Sequence, residues 1–368
     1  MVDTKSEPVN EETSGEITWP QEAPIWRVDT AYGTVQAKST LAVLRDVEQS
    51  VRQGKLGLLE PIPTGFDLLD HRLGGGLRLG ELVLVGGVQG VGKTMMTLQM
   101  ARNIAVSGNA TCLFVCFEHD EISLLQRLIS QETIDPTAET YQSGLRMRDI
   151  QGRLLEAHKR SGTGLMEALS TDPRGDRALR RLAGYADRLL LMKASDARTT
   201  VEALGALVAK HKPEEGRLVL FIDYLQRVPA FPEPAEEAEK VTRVVQALKG
   251  MALAQEIAVV AIVAADKEGL KARRLRLHHF RGSSALTYEA DVVLVLNEKY
   301  RIVSKTHIEF NVHKAQTYHD WLVCTIEKNR SGRDNVDIEF EKRFEYCCLD
   351  PRGGDVTETL IEERIYTE

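Results

Sequence analysis

The chain is poor in cysteine and has no long apolar run. Its five cysteines are Cys112, Cys116, Cys324, Cys347 and Cys348. They include no C-x-x-C pair, and an odd count with Cys347 and Cys348 adjacent argues against a disulfide framework or a zinc site and for reduced, buried thiols. No apolar stretch reaches the ~20 residues that cross a bilayer, and no charged-then-apolar leader opens the chain. A soluble, cytoplasmic protein without a membrane partner is therefore expected. A formal charge of −7 excludes a wholly basic nucleic-acid binder but leaves room for local basic patches. What is present is core material: 368 residues with 43% hydrophobic content suffice for one large α/β domain with extensions, or for two average domains.

The most informative stretch runs from Glu81 to Thr94, an apolar run feeding a glycine-rich turn that opens into Met95 to Ala101. Gly87, Gly92, Lys93 and Thr94 fill the G-x-x-x-x-G-K-[ST] template of a phosphate-binding loop, with Gln89, Gly90 and Val91 between them and Met95 after. A triphosphate needs several backbone N–H groups converging on it, which residues without a Cβ permit. The following helix adds the positive end of its dipole, Lys93 can neutralise the outer phosphates, and the Thr94 hydroxyl suits a Mg²⁺ site. ATP and Mg²⁺ are the expected cofactors.

Strand and helix signals alternate on either side of this loop, as in a parallel sheet. Residues 1 to 37, with Glu7, Glu11, Glu12, Glu16 and Glu22 among Ser, Thr and Pro, are expected to form an acidic, disordered tail. Trp19 and Trp26 within it would either anchor a partner or tuck against the protein itself. Residues 38 to 60 contain a short amphipathic helix, with Leu41, Leu44, Val47 and Val51 at helical spacing, packed on its own domain or handed to a neighbouring subunit. Residues 61 to 368 form the main domain. A run ending at Phe117 is followed by Glu118, and Leu218 to Ile222 ends in Asp223, a carboxylate at the carboxyl edge of the sheet suited to hold Mg²⁺ through water. Residues 135–187 are polar and helix-prone; their scattered arginines read as solvated helix faces. A capping box is expected at Thr199 with Glu202. The most basic stretch, Asp266 to Arg281, with Lys271, Arg273, Arg274, Arg276 and Arg281, is expected to emerge between strands and contact a polyanion.

In this order, Pro63-Thr-Gly-Phe66, the phosphate loop, Glu118, Ile222-Asp-Tyr-Leu-Gln226, Phe280-Arg-Gly-Ser-Ser-Ala-Leu-Thr-Tyr-Glu-Ala-Asp291 and Lys328-Asn-Arg330 resemble the RecA-like ATPase domain of DnaB-type replicative helicases over roughly residues 39–350. Gly74 to Glu81 and Arg281 to Leu286 look equally like the RadA and KaiC branch. The resemblance implies a P-loop NTPase core, a mostly parallel twisted sheet flanked by helices with antiparallel edge strands at its C-terminal end. It implies that Glu118 orients or deprotonates the attacking water and that Asp223 serves the Mg²⁺ shell. Arg330 with Lys328 would reach the γ-phosphate of ATP on a neighbouring subunit, which requires a homo-oligomeric ring, a hexamer. Arg281 and the basic run would hold single-stranded DNA.

Three departures accompany it. Ala264 stands where such helicases carry a phosphate-sensing Gln, so Asp266 or Lys267 substitutes, or coupling is altered. Gly282 stands where a DNA-proximal Glu is usual, and the residues before position 38 are too few and too polar for the family's N-terminal helical domain, so primase docking through it is not expected. The function implied is a DNA-stimulated helicase or translocase with possible replication or loading partners. The alternative is a KaiC- or RadA-like ATP-driven switch or recombination accessory.

Overall fold

The computed structural model describes residues 19–31, 33–54, 59–134, 144–159, 162, 164–214, 216–282, 284–304 and 316–361. The chain forms two units, residues 1–56 and 57–368. In the first, β1 (Ile25–Thr30) pairs antiparallel with β2 (Gly33–Lys38), and Trp26 and Val28 stand opposite Ala37 and Val35 on one apolar face. The expected disordered tail therefore does not extend to residue 37. Alternating side chains on both sides of a short turn suffice for a hairpin, whereas Glu7, Glu11, Glu12 and Glu16 lie outside the described residues. Helix α1 (Thr40–Arg52) follows, capped by the Ser39 hydroxyl, which accepts the Ala42 N–H at 3.1 Å. Its Val43, Leu44, Val47 and Val51 are exposed.

The second unit begins with α2 (Asp67–Arg72) and then alternates. β3 (Leu82–Gly87) leads into α3 (Lys93–Ser107), and β4 (Thr111–Cys116) into α4 (Glu121–Glu132). Three helices follow, α5 (Met147–Lys159), α6 (Leu165–Ser170) and α7 (Pro173–Ala183), before β5 (Leu189–Lys193) and α8 (Val201–His211). Then come β6 (Leu218–Asp223), α9 (Glu237–Ala254), β7 (Ala258–Ala264), α10 (Ala285–Glu289), β8 (Val292–Glu298) and α11 (Lys299–Ile302). Four edge strands complete it: β9 (Trp321–Asn329), β10 (Val336–Arg343), β11 (Cys348–Leu349) and β12 (Gly354–Asp355). Helix α8 starts one residue later than the Thr199 box suggests: Thr200 caps it, accepting the Ala203 N–H at 3.2 Å.

Among the described residues, ten of these strands form one sheet in the order β11-β10-β9-β8-β3-β7-β6-β4-β5, with β12 beside β10. The stretch from β8 to β5 is parallel, and β9 to β12 run antiparallel at the edge. Parallel strands covered on both faces read as continuous apolar runs, and β3 shows why. Val83 and Val85 pack in the core on the α3 side, while Leu82 and Leu84 join the core formed with α8 and α9. The layer α5 to α7 has a small core of its own, Leu145, Ile150, Leu169 and Ala178 against Ile129 of α4. Its arginines serve structure: Arg153 and Arg174 both pair with Asp172, and Arg181 donates to the carbonyls of Glu132 and Ile134. All five cysteines are buried and free. No described helix is long and apolar enough to cross a membrane.

Gly86 lets the aromatic ring before the basic segment lie against β3, since a Cβ there would come within 2.0 Å of Phe280 Cε1. Gly86→Ala is expected to cost about 1–3 kcal/mol by overpacking, read as a lower denaturant midpoint at unchanged slope.

Candidate nucleotide site and basic segment

The loop between β3 and α3 bends at Gly90 (φ +82°) and Gly92 (φ +110°), backbone angles that a side chain strains. At Gly92 a Cβ would also meet the Phe344 ring at 2.7 Å. Gly87, Gln89, Gly90, Gly92, Lys93, Thr94 and Met95 line a cleft of about 510 Å³ at the carboxyl ends of the parallel strands. Val91 does not line it: its side chain is buried in the core and its N–H turns back to the Val88 carbonyl. The template position fixes the length of the loop but not which way each side chain faces.

Lys93 Nζ donates to the Gly87 and Val88 carbonyls, both at 2.9 Å, which holds the ammonium in the loop mouth. Burial lowers its pKa, against the pull of Asp223 and Glu118. The Thr94 hydroxyl donates to Asp223 Oδ2 at 2.7 Å, tying the first turn of α3 to the end of β6. Burial raises the Asp223 pKa, with the Glu118 charge adding to it and the Thr94 bond and Lys93 opposing it. A buried carboxylate short of positive charge, beside a hydroxyl, is a donor set that fits a hard divalent cation. Among the described residues no three His, Cys, Asp or Glu side chains form a metal cluster, so such an ion would complete its shell with phosphate oxygens and water. Cys116, whose Sγ lies 3.7 Å from Asp223 Oδ2, is pushed up to about 11 by burial and by that carboxylate.

Glu118 is exposed on the same cleft, one residue beyond Phe117, whose N–H donates to the Asp223 carbonyl. Three further residues on this wall escaped the sequence reading: His119, Arg127 and Tyr224. Arg127 Nη2 lies 3.1 Å from His119 Nε2. An arginine among the apolar positions of an amphipathic helix carries no local mark of such a role. The opposite wall ends in Ala264, Ala265 and Leu270. Neither candidate substitute for the absent Gln lines the cleft: Asp266 Oδ1 accepts the Gly269 N–H at 2.6 Å, capping its own turn, and Lys267 is exposed. Gln226 closes the space beyond, accepting from Ala264 N–H and donating to the Arg281 carbonyl.

The basic segment divides. Lys271 and Arg273 are exposed, as its composition suggests. Arg274 is 3% exposed and donates to Asp337 Oδ1 at 2.6 Å and to Thr325 Oγ1, both on edge strands. The expectation that Arg274 contacts a polyanion is therefore corrected: it is a buried tie between the segment and the sheet. Arg276 pairs with the buried Glu327, and Arg281, half-exposed, pairs with Glu237 at the start of α9. Local charge excess does not reveal carboxylates that fold in from distant strands.

Arg330 and Lys328 lie at the other end of the sheet. Arg330 Nη1 donates to Asp291 Oδ1 at 3.0 Å and Nη2 to the Tyr288 carbonyl, while Lys328 Nζ donates to the Thr287 carbonyl at 2.6 Å. Asp291 in turn accepts the N–H of Leu82, the first residue of β3, whereas the phosphate loop leaves the last. At about 3.3 Å per residue the two ends of β3 are roughly 17 Å apart, so Arg330 is remote from the Lys93 cleft of its own chain.

A sheet of this order with such a loop defines a RecA-like P-loop NTPase. The fold agrees with a solved helicase-type ATPase domain (TM-score 0.64, 17% identity, 84% of this chain and 98% of that one) and with a DnaB-like replicative helicase whose structure was solved together with its interactions with primase (TM-score 0.60, 18% identity, 78% and 63%). Residues 61–347 match the DnaB-like helicase C terminal domain family, and the chain belongs to that family. Curated relatives include the replicative DNA helicase DnaB of Treponema pallidum (strain Nichols), 28% identical over 294 residues, and that of Geobacillus stearothermophilus, 27% identical over 303. These alignments cover 79% and 80% of this chain but only 56% and 60% of the relatives' lengths.

Arg274→Ala is expected to destabilise the fold by on the order of 3 kcal/mol, because it leaves Asp337 without its partner. Lys271→Ala and Arg273→Ala should leave thermal unfolding unchanged. Melting curves of the three variants check this.

Proposed function

We propose that the chain hydrolyses ATP at the interfaces of a homo-oligomeric ring, a hexamer, and uses turnover to move along single-stranded DNA. The reading is supported most by the separation of the two half-sites. Lys93, Thr94, Glu118 and Asp223 share one cleft, and the half-exposed Arg330 sits at the far end of β3, from which only another copy's nucleotide is accessible.

In this mechanism the N–H groups of the glycine loop and the start of α3 receive the phosphates. Lys93 lies ready to leave its carbonyl partners for the outer phosphates. Thr94 and Asp223 would hold Mg²⁺, which when bound supplies charge neutralisation between the β- and γ-phosphate oxygens. Glu118 orients the attacking water and accepts its proton. Arg330, aided by Lys328, meets the charge that develops on the terminal phosphate of the adjacent copy. Phosphoryl transfer is mostly positioning and charge stabilisation, and an arginine supplied in trans is worth about 10³–10⁵ in rate. On the DNA side the exposed Lys271 and Arg273 act with Arg281, which single-stranded DNA would draw away from Glu237. Replication or loading proteins are the expected partners of such a ring.

A second reading, an ATP-driven switch or recombination accessory, is favoured by the basic segment itself. Arg274 and Arg276 are committed to protein carboxylates, and Arg281 carries one as well. Turnover with and without single-stranded DNA separates the two. At low salt, stimulation supports the motor, and its absence supports the switch.

Lys93→Ala is expected to abolish ATP binding. Glu118→Gln should bind ATP with near wild-type affinity while turnover falls by about 10²–10⁴; full turnover in that variant would remove Glu118 as the base. Equilibrium binding of a fluorescent ATP analogue and phosphate release provide the two readouts.

A further inference from the structure

Next to Arg330 is a carboxylate to which none of the roles above assigns a task. Asp291 precedes β8 and is 6% exposed. Its Oδ2 accepts the Leu82 N–H at 2.7 Å and Lys249 Nζ at 2.6 Å, and its Oδ1 accepts Arg330 Nη1 at 3.0 Å. The two backbones are joined as well, since Arg330 N–H donates to the Asp291 carbonyl and Asp291 N–H to that of Leu82. Lys249 is held in turn by a 2.8 Å bond to the Gly80 carbonyl. The carboxylate is thus fixed by β3 and α9 independently of the arginine that leans on it.

Charge counting shows what this arrangement does. Lys249 already compensates Asp291, so the pair is close to neutral and the guanidinium keeps its positive charge. Arg330 gains a directed hydrogen bond on one side and the Tyr288 carbonyl on another. An arginine otherwise carries about 2 kcal/mol of rotamer entropy, and two fixed acceptors remove much of that freedom before a phosphate arrives. With its side chain 48% exposed, the rest of the fork remains open to an adjoining copy.

We propose that Asp291, itself held by Lys249, is the positioning residue for Arg330: it presents the guanidinium to the terminal phosphate bound by the neighbouring copy. This rests on the reading of Arg330 as acting in trans. Asp291 touches no substrate and is not a catalytic residue.

The test is turnover of Asp291→Asn, alone and mixed with Lys93→Ala subunits, with Arg330→Ala mixed in the same way as reference. Asp291→Asn alone should lose at least tenfold in kcat, with KM for ATP within twofold of wild type. In the mixture activity should rise, because a Lys93→Ala subunit keeps Asp291 and Arg330 and lends them to its neighbour's intact cleft. A merely structural aspartate would give no such rescue. Asp291→Asn could strand the Lys249 charge and weaken the fold. Asp291→Asn with Lys249→Met removes both charges and should melt within a few degrees of wild type while keeping the kcat loss. Wild-type kcat in either variant overturns the proposal. So does a mixture in which Arg330→Ala is rescued and Asp291→Asn is not, which leaves the trans reading of Arg330 standing. If Arg330→Ala itself is never rescued at any ratio, the trans reading fails and the proposal fails with it.

Discussion

The hydrogen bond from the Thr94 hydroxyl to the Asp223 carboxylate is the constraint on which the cleft depends. It joins the first turn of α3 to the last residue of β6 and thereby fixes the distance between two parallel strands that are not neighbours, since β7 lies between β3 and β6. Glu118 is placed by the same register: Cys116 pairs with Asp223 across β4 and β6, and the Phe117 N–H reaches the Asp223 carbonyl. A carboxylate for water, one for a cation and a hydroxyl are thus arranged by sheet geometry rather than by loop conformation. The energetic cost is a buried anion, visible in the raised Asp223 pKa and in the partial compensation from Lys93. Positive charge brought by a ligand-bound cation would relieve it.

Where the sequence was legible, the signal came from requirements that are local. The loop needs glycine at Gly90 and Gly92 because their φ values lie in the left-handed region, and that need is written in the chain. The strands are readable because a parallel sheet covered on both faces demands unbroken apolar runs, as in Leu82 to Val85 and Leu218 to Ile222. Glu118 and Asp223 stand out as carboxylates directly after such runs. Where it was not legible, the deciding partner lies far along the chain. Arg274 looks like its exposed neighbour Arg273 until Thr325 and Asp337 fold against it. Val91 fits the loop template, yet its side chain turns inward. The hairpin of Ile25 to Lys38 was hidden by the acidic residues that precede it, because composition averaged over a segment masks a short alternating pattern.

Charge compensation organises the basic segment in the same way. The arginines nearest the sheet meet carboxylates of β9 and β10, and the buried Asn297 holds the Leu275 backbone by both its N–H and its carbonyl. This clamps the middle of the segment to the sheet and leaves its flanks, with Lys271, Arg273 and Arg281, outside. A polyanion approaching here meets a rigid base with a few available cations rather than a flexible basic loop. Affinity would then come from few phosphate contacts and show a correspondingly shallow salt dependence.

The polarity of the sheet gives these features their sense. Parallel strands have two chemically different ends, and this fold puts a phosphate-binding cleft at one and a guanidinium at the other. A single copy cannot bring them together, because the rigid strand β3 that links them is also what separates them. Copies stacked head to tail in a closed ring bring the two ends into contact at every interface and leave none unpaired. Nucleotide turnover in such an arrangement depends on the relative placement of neighbours. Any change in how one copy sits on the next moves Arg330 relative to the adjacent cleft, while the positions of Lys93, Thr94, Glu118 and Asp223 within each copy stay fixed. The contact between copies, rather than the interior of either one, is then the part of the machine that is free to vary through a cycle.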